Sequence, residues 1–311
     1  MAGAFTHWMV IEEAVDKLPD GDYSTILEEK INFVRIGAVG PDYPYMSELA
    51  GNFFKIHSWA DRMHYENTLV FVKNGLSALF TLDRSGEMFK ICLSWLCGYV
   101  SHLLTDAIIH PVVNANVGGT YIFTAHDHRI CEMTQDAWIF FEQKGVDLSN
   151  AAYIKLLGDC SDPGDKDRIH PAIRSFWPAI LKNAHPGGAA YFYKIDPDKW
   201  HEAYLSKLGT ASDPIPFFRH IGEEEHLVYK TRSEIANTTE EKKNVSEIKL
   251  PNGNTGNFKE HAFDKTVLTL VAIWQALFAD ILKNDASHCS QYLGNWNLDT
   301  GLNEDAIIFW G

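Results

Sequence analysis

The sequence predicts an all-α protein. Helical-period apolar patterns follow one another without βαβ alternation. No phosphate-cradling glycine motif interrupts them. Histidines and carboxylates fall four residues apart inside those patterns, so they share helix faces.

Phe5 to Lys17 reads as the first helix, with Thr6 as its N-cap, His7 in its first turn and Leu18-Pro19 ending it. Tyr23 to Arg35 is the second, apolar at Ile26, Leu27, Ile31 and Val34, and it stops at Gly37. Gly37 to Tyr45 holds two glycines and two prolines, which predicts an irregular loop carrying Asp42. His57, Asp61 and His64 follow. Asn67 to Leu82 and Glu87 to Ile109 are predicted as antiparallel helices joined by Asp83 to Gly86.

The second of these is the centre of the chain. Met88, Ile91, Cys92, Trp95, Leu96, Tyr99, Val100 and Leu103 make it apolar, and Gly98 is tolerable in a long buried helix. His102, Asp106 and His110 stand on it at strict four-residue spacing, and Pro111 is expected to end it. Val112 to Ala125 is then a loop, and His128 to Phe141 a helix bearing His128 and Glu132.

Beyond Gly145 the pattern weakens, and residues 145–257 read as a divergent insertion or lid. Asp159 to Asp167 is predicted as a loop, Ala172 to Asn183 and Pro197 to Leu208 as helices, and Thr238 to Gly256 as a solvated, mobile excursion. Glu223 to Glu225 with His226 reads as a solvated acidic face. Phe258 to Asn284 is a strong amphipathic helix that closes the core against the central one. The chain is expected to form one domain over residues 1–311, with residues 258–284 as a core helix.

Composition bounds the function. With 311 residues, 46% of them hydrophobic and 13% aromatic, the chain has ample material for a large core. A net charge of −14 disfavours a stable nucleic-acid complex. Five cysteines without framework spacing read as reduced thiols. Met1 to Val10 lacks the pattern of a signal peptide, and Val267 to Leu282 is too short and amphipathic to span a bilayer. A cytoplasmic protein without a transmembrane segment is the expectation.

A single buried histidine is more often a satisfied core residue than a ligand. A carboxylate in an apolar helix is costly unless partnered, and one His–Asp hydrogen bond would answer that cost without metal. It does not account for a second pair, His128 and Glu132, within the same stretch. Imidazole with carboxylate is a ligand mix that suits zinc, so the cluster reads as a metal site.

In series, Thr6-His7, Gly40-Pro-Asp-Tyr-Pro44, His64-Tyr-Glu-Asn67, His102-x3-Asp106, His110 and His128-x3-Glu132 resemble the zinc-dependent phospholipase C and P1-nuclease superfamily. The glycine–proline–aspartate form is most similar to its phospholipase C and glycosylphosphatidylinositol phospholipase D branch. The resemblance runs from about Phe5 to Phe141, roughly the first 45% of the chain.

It implies an all-α fold, two or three zinc ions in one cleft and hydrolysis of a phosphoester, most readily a lipid-type or small-molecule phosphodiester. By resemblance, Asp42, His64, His102 and Asp106 would hold one zinc, with Asp106 bridging. His110, His128 and Glu132 would hold a second. His7 and Asp106 would hold a third with the chain's own amino terminus. Asp42 would also serve as the catalytic base, and His126 is a backup for His128. The family's usual leading tryptophan is replaced by Met1-Ala-Gly-Ala4, so Ala2 would have to supply the terminal amine once Met1 is removed. A P1-like nuclease or nucleotidase, a repurposed biosynthetic enzyme and a zinc-stabilised binding protein are the competing functions on the same fold.

Overall fold

The computed structural model describes residues 3–48, 58–148, 156–187, 193–210, 229–303, 306–307 and 309–310. Its helices are α1 (Ala4–Lys17), α2 (Asp22–Glu29), α3 (Ile31–Ala38), α4 (Trp59–Tyr65), α5 (Thr68–Leu79), α6 (Glu87–Val117), α7 (Tyr121–Lys144), α8 (Pro171–Ala184), α9 (Pro197–Thr210) and α10 (Asp264–Lys283), with shorter helical turns between them. Strands occur only as small antiparallel pairs and one three-stranded hairpin, Trp296–Asn297, Leu302–Asn303 and Ala306–Ile307, among the described residues. The protein is all-α.

Helix α6 is buried on every side from Ile91 to Val113, its apolar residues lying all round it and its His102, Asp106 and His110 buried among them. Helix α3 crosses it with backbones almost touching. A Cβ on Gly98 would lie 2.0 Å from the Val34 carbonyl oxygen, and one on Gly37 would lie 2.1 Å from that of Trp95. Only glycine fits at either position, and the crossing brings the end of α3 against the middle of α6. From the other side α10 packs on α6, where the Trp274 indole donates to the Cys97 carbonyl at 3.0 Å.

Several expectations are corrected. Thr6 is not the N-cap of α1, which begins at Ala4 after Gly3. The first-turn N–H groups are met instead by the distant carboxylate of Asp136, at 2.7 Å from Thr6 N and 3.4 Å from Phe5 N. The pattern from Tyr23 breaks at Lys30 into α2 and α3. The Gly40–Met46 stretch is a 3-10 helix, not an irregular loop. Pro111 does not end the central helix, which continues to Val117. The bond lost there is the one to Ala107 O, and that carbonyl is closely covered by Gly301, whose φ of 65° and missing Cβ permit the approach. The loop before α7 therefore shrinks to Gly118–Thr120.

The stretch from Ser161 to Ile169 is a short hairpin. Thr238 to Gly256 is anchored: Val245, Ile248 and Leu250 are buried, and Asn116 exchanges hydrogen bonds with the Lys249 backbone at 3.0 and 3.2 Å. Two helices, Glu87–Val117 and Lys259–Lys283, are long and apolar enough to cross a membrane by length and composition. The apolar window of the first is 100% buried inside the protein, which makes it a core helix. His57 and the run Glu223 to His226 lie outside the described residues.

Candidate metal centre

Five elements converge on one buried space. Helix α1 delivers His7, the 3-10 helix Asp42, α4 His64, α6 His102, Asp106 and His110, and α7 His128 and Glu132. Local sequence explains each delivery. Pro41 and Pro44 hold the 3-10 turn around Asp42. A capping box between Ser58 and Asp61 starts α4 so that His64 falls in its last turn. The four-residue spacing does the rest on α6 and α7. All eight residues are buried, with Asp42 the most exposed at 5%. His126 is exposed on α7 and does not join them.

Asp106 sits at the middle. Its Oδ1 is 3.2 Å from His7 Nε2 and 3.7 Å from His110 Nε2. Its Oδ2 is 3.3 Å from His102 Nε2 and 3.7 Å from His64 Nε2. Asp42 Oδ1 lies 3.2 Å from His64 Nε2 and 3.9 Å from His102 Nε2. On the other side, Glu132 Oε1 is 3.0 Å from His128 Nδ1 and 3.6 Å from His110 Nε2. The His7 ring stacks on His102 with centroids 4.5 Å apart.

The outer nitrogens fix which atoms face inward. His64 Nδ1 is 2.7 Å from the Ala60 carbonyl, His102 Nδ1 2.9 Å from that of Ala38, and His110 Nδ1 2.7 Å from that of Leu298. A carbonyl only accepts, so each Nδ1 carries a proton, and in the neutral ring, the form that binds a metal, each Nε2 would turn a lone pair to the centre. His64 Nε2 and His102 Nε2 face each other at 3.2 Å, and with both rings neutral two lone pairs would meet there. The carboxylates are acceptors as well.

Burial pushes the Asp106 carboxyl up, but His110 and His102 outweigh it and hold the group well below the usual carboxylate range. Burial acts the same way on Asp42, and His102 and His64 bring it below its ordinary value. Glu132 is also driven up by burial and ends well below the usual range, lowered by the charge of His128 and by hydrogen bonding to His110 and His128, among other causes. His7 is pushed down by burial and by the charge of His102. Burial likewise pushes His128 down. For His102 the lowering by burial is outweighed by Asp106 and Asp42, and its pKa rises.

Ionised carboxylates and inward lone pairs at this density repel unless a cation joins them. The spacing suits one. Tetrahedral zinc with bonds of about 2.0–2.2 Å keeps its ligand atoms roughly 3.3–3.6 Å apart. The ligand atoms of Asp42, His64 and His102 lie within 4.8 Å of one another, as do those of His7, His102 and Asp106. These two sets of donors therefore fit metal ions.

Sequence reasoning missed the residues that aim these ligands. Asn114 stands four residues after His110, and its Oδ1 is 3.1 Å from His128 Nε2. Asp136 stands four residues after Glu132 and anchors the turn that carries His7, with Thr6 Oγ1 donating to it at 2.6 Å. Both extend a spacing ladder already visible, one rung further. The Leu298 carbonyl had no sequence signal, because a backbone acceptor 188 residues from His110 is visible only in the fold.

A family profile described as zinc dependent phospholipase C matches residues 6–187, more than half of the chain. No curated protein and no solved structure matches it.

Proposed function

The chain belongs to the zinc-dependent phospholipase C family, and from that premise we propose that it hydrolyses a lipid-type phosphodiester at the buried His/Asp/Glu centre. One observation carries the reading: the inward atoms of the cluster are hydrogen-bond acceptors facing one another at 3.2–3.9 Å. Family membership supports phosphoester hydrolysis, and the glycine–proline–aspartate turn around Asp42 favours the phospholipase branch.

In this reading Asp42, His64, His102 and Asp106 hold one zinc, and His110, His128 and Glu132 a second. His7 and Asp106 contribute to a third. Zinc held by these residues would neutralise the phosphodiester's charge and lower the pKa of a coordinated water to about 7. Asp106 orders the cluster by turning one oxygen to each side. Asp42 is the base. Its side chain is 7% exposed where that of Asp106 is fully buried, so among these carboxylates it faces the water side. Held ionised by His102 and His64, it accepts the proton of the attacking water. Attack on phosphorus breaks the P–O bond to the alcohol, whose oxygen takes up the proton that Asp42 accepted, and yields a phosphomonoester.

The test offers zinc-loaded protein a choline phospholipid, single-stranded DNA and an aryl phosphodiester side by side. Release of diacylglycerol and phosphocholine, lost in His102→Ala, is the expected result. Turnover of DNA alone, or of none of the three, overturns the substrate assignment.

A further inference from the structure

His110 is aimed directly, and His128 through Asn114, by a part of the chain that lies beyond the family match. Asn114 Nδ2 donates to the backbone carbonyl of Asp299 at 2.7 Å. That carbonyl cannot donate, so the amide has one orientation, and its Oδ1 faces His128 Nε2 at 3.1 Å. The amide oxygen only accepts, so His128 must carry its proton on Nε2. Its Nδ1 lone pair is then the atom presented beside Glu132 Oε1, at 3.0 Å.

The neighbouring residue does the same for the other histidine. Leu298 O accepts from His110 Nδ1 at 2.7 Å, which leaves Nε2 toward Glu132 and Asp106. The segment is pinned where it sits. Leu298 N donates to the His64 carbonyl at 3.0 Å, and Tyr65 Oη donates to Asp299 Oδ2 at 2.6 Å.

We propose that Asn114 is a positioning residue for the His110–His128–Glu132 metal site, held in that role by the C-terminal Leu298–Asp299 segment. The inference rests on the metal reading of the centre and adds which imidazole nitrogen His128 offers and what selects it. A ligand's outer hydrogen bond fixes its tautomer and raises its basicity, and losing such a partner typically costs about 10–100-fold in metal affinity.

Two substitutions in the full chain separate positioning from simple packing. Asn114→Leu removes the acceptor for His128 and the donor to Asp299. Asn114→Asp keeps the acceptor and removes only the donor. Zinc affinity is read by chelator competition, and the cobalt-substituted protein reports ligand geometry through its visible spectrum. Asn114→Leu should weaken one class of bound metal about 10–100-fold, leave the other class unchanged and alter the cobalt spectrum. Asn114→Asp, which keeps the acceptor and loses the tie to Asp299, should weaken that class distinctly less.

Equal weakening by both variants would reduce Asn114 to a clamp on the hairpin and overturn the proposal, as would an unchanged Asn114→Leu. The parent protein gives a check that needs no variant. Nitrogen-15 spectra of the zinc-loaded chain should show His128 protonated on Nε2, and protonation on Nδ1 overturns the inference alone. A parent chain that takes up no zinc overturns both this inference and the function proposed above.

Discussion

The two ends of the centre are built from different kinds of chain. At the Asp42–His64–His102 end, the aiming carbonyls lie nearer in the chain: Ala60 precedes His64 by one turn of α4, and Ala38, 64 residues before His102, closes α3 where it crosses α6. At the His110–His128–Glu132 end they come from afar, with Leu298 and Asp299 supplied by a hairpin 188 residues past His110. The first end is complete within the matched residues 6–187, and the second is not. Ligand identity and ligand aim are therefore separable. A short stretch of helix can carry the first while the second depends on how the whole chain closes.

Asp106 belongs to both ends, so its loss should erase the difference between them. Asp106→Ala is expected to abolish activity and to cut metal affinity by more than the roughly 100-fold that an outer partner costs. Elemental analysis alongside the assay checks this, and unchanged metal content would sink the ligand assignment.

Metal removal comes next. Stripped protein keeps carboxylates and lone pairs pressed together, so adding zinc should raise its melting temperature. At 1,000 times the dissociation constant the gain is about 4 kcal/mol. A melting curve that ignores zinc contradicts the site.

Gly98→Ala separates the two ends. Its Cβ would meet the Val34 carbonyl at 2.0 Å and push α3 off α6, dragging Ala38 O from His102. We expect a loss of about 1–3 kcal/mol in denaturant unfolding. Metal should be weakened at the His64–His102 end and spared at the His128 end. Equal loss at both ends would mean that the aim of His102 does not depend on this crossing.

The last test is in pH dependence, at the Asp136 anchor of α1. Burial lifts this carboxyl to about 7 despite hydrogen bonds from Thr6 and Tyr229. Its pKa is thus raised on folding, and its contribution is full below about pH 4, where both states are protonated. As pH climbs from about 4 to about 7, the unfolded chain releases its proton first and that contribution is lost. The stability difference between metal-free parent and Asp136→Asn should fall across that window and level off above it. A flat difference curve would mean that Asp136 is ionised throughout.

How far the sequence could be read depended on the range of the interaction. The apolar face of α6, the x3 ladders and the limits of α8 and α9 follow from local periodicity, and they were legible. The continuation past Pro111 was not, because the local rule counts the lost hydrogen bond and cannot see Gly301 covering the carbonyl it frees. Thr6 looked like a cap because the real one, Asp136, is 130 residues away. The stretch from Thr238 to Gly256 looked solvated because its few apolar residues are spaced for a small hairpin and not for a helix. Asn114 and Asp136 were within reach of the spacing rule and were passed over because neither completes a ligand pair.

By itself, then, the sequence determined the helical class, the ligand types and the faces on which they stand, since side-chain direction on a helix follows from spacing alone. Only the tertiary structure decided which nitrogen each histidine turns inward. That choice belongs to the acceptor on the ring's far side. For His102 and His110 the acceptor is a backbone carbonyl, on α3 and in the C-terminal hairpin, and every residue has a carbonyl, so no pattern of residue types marks the one that matters.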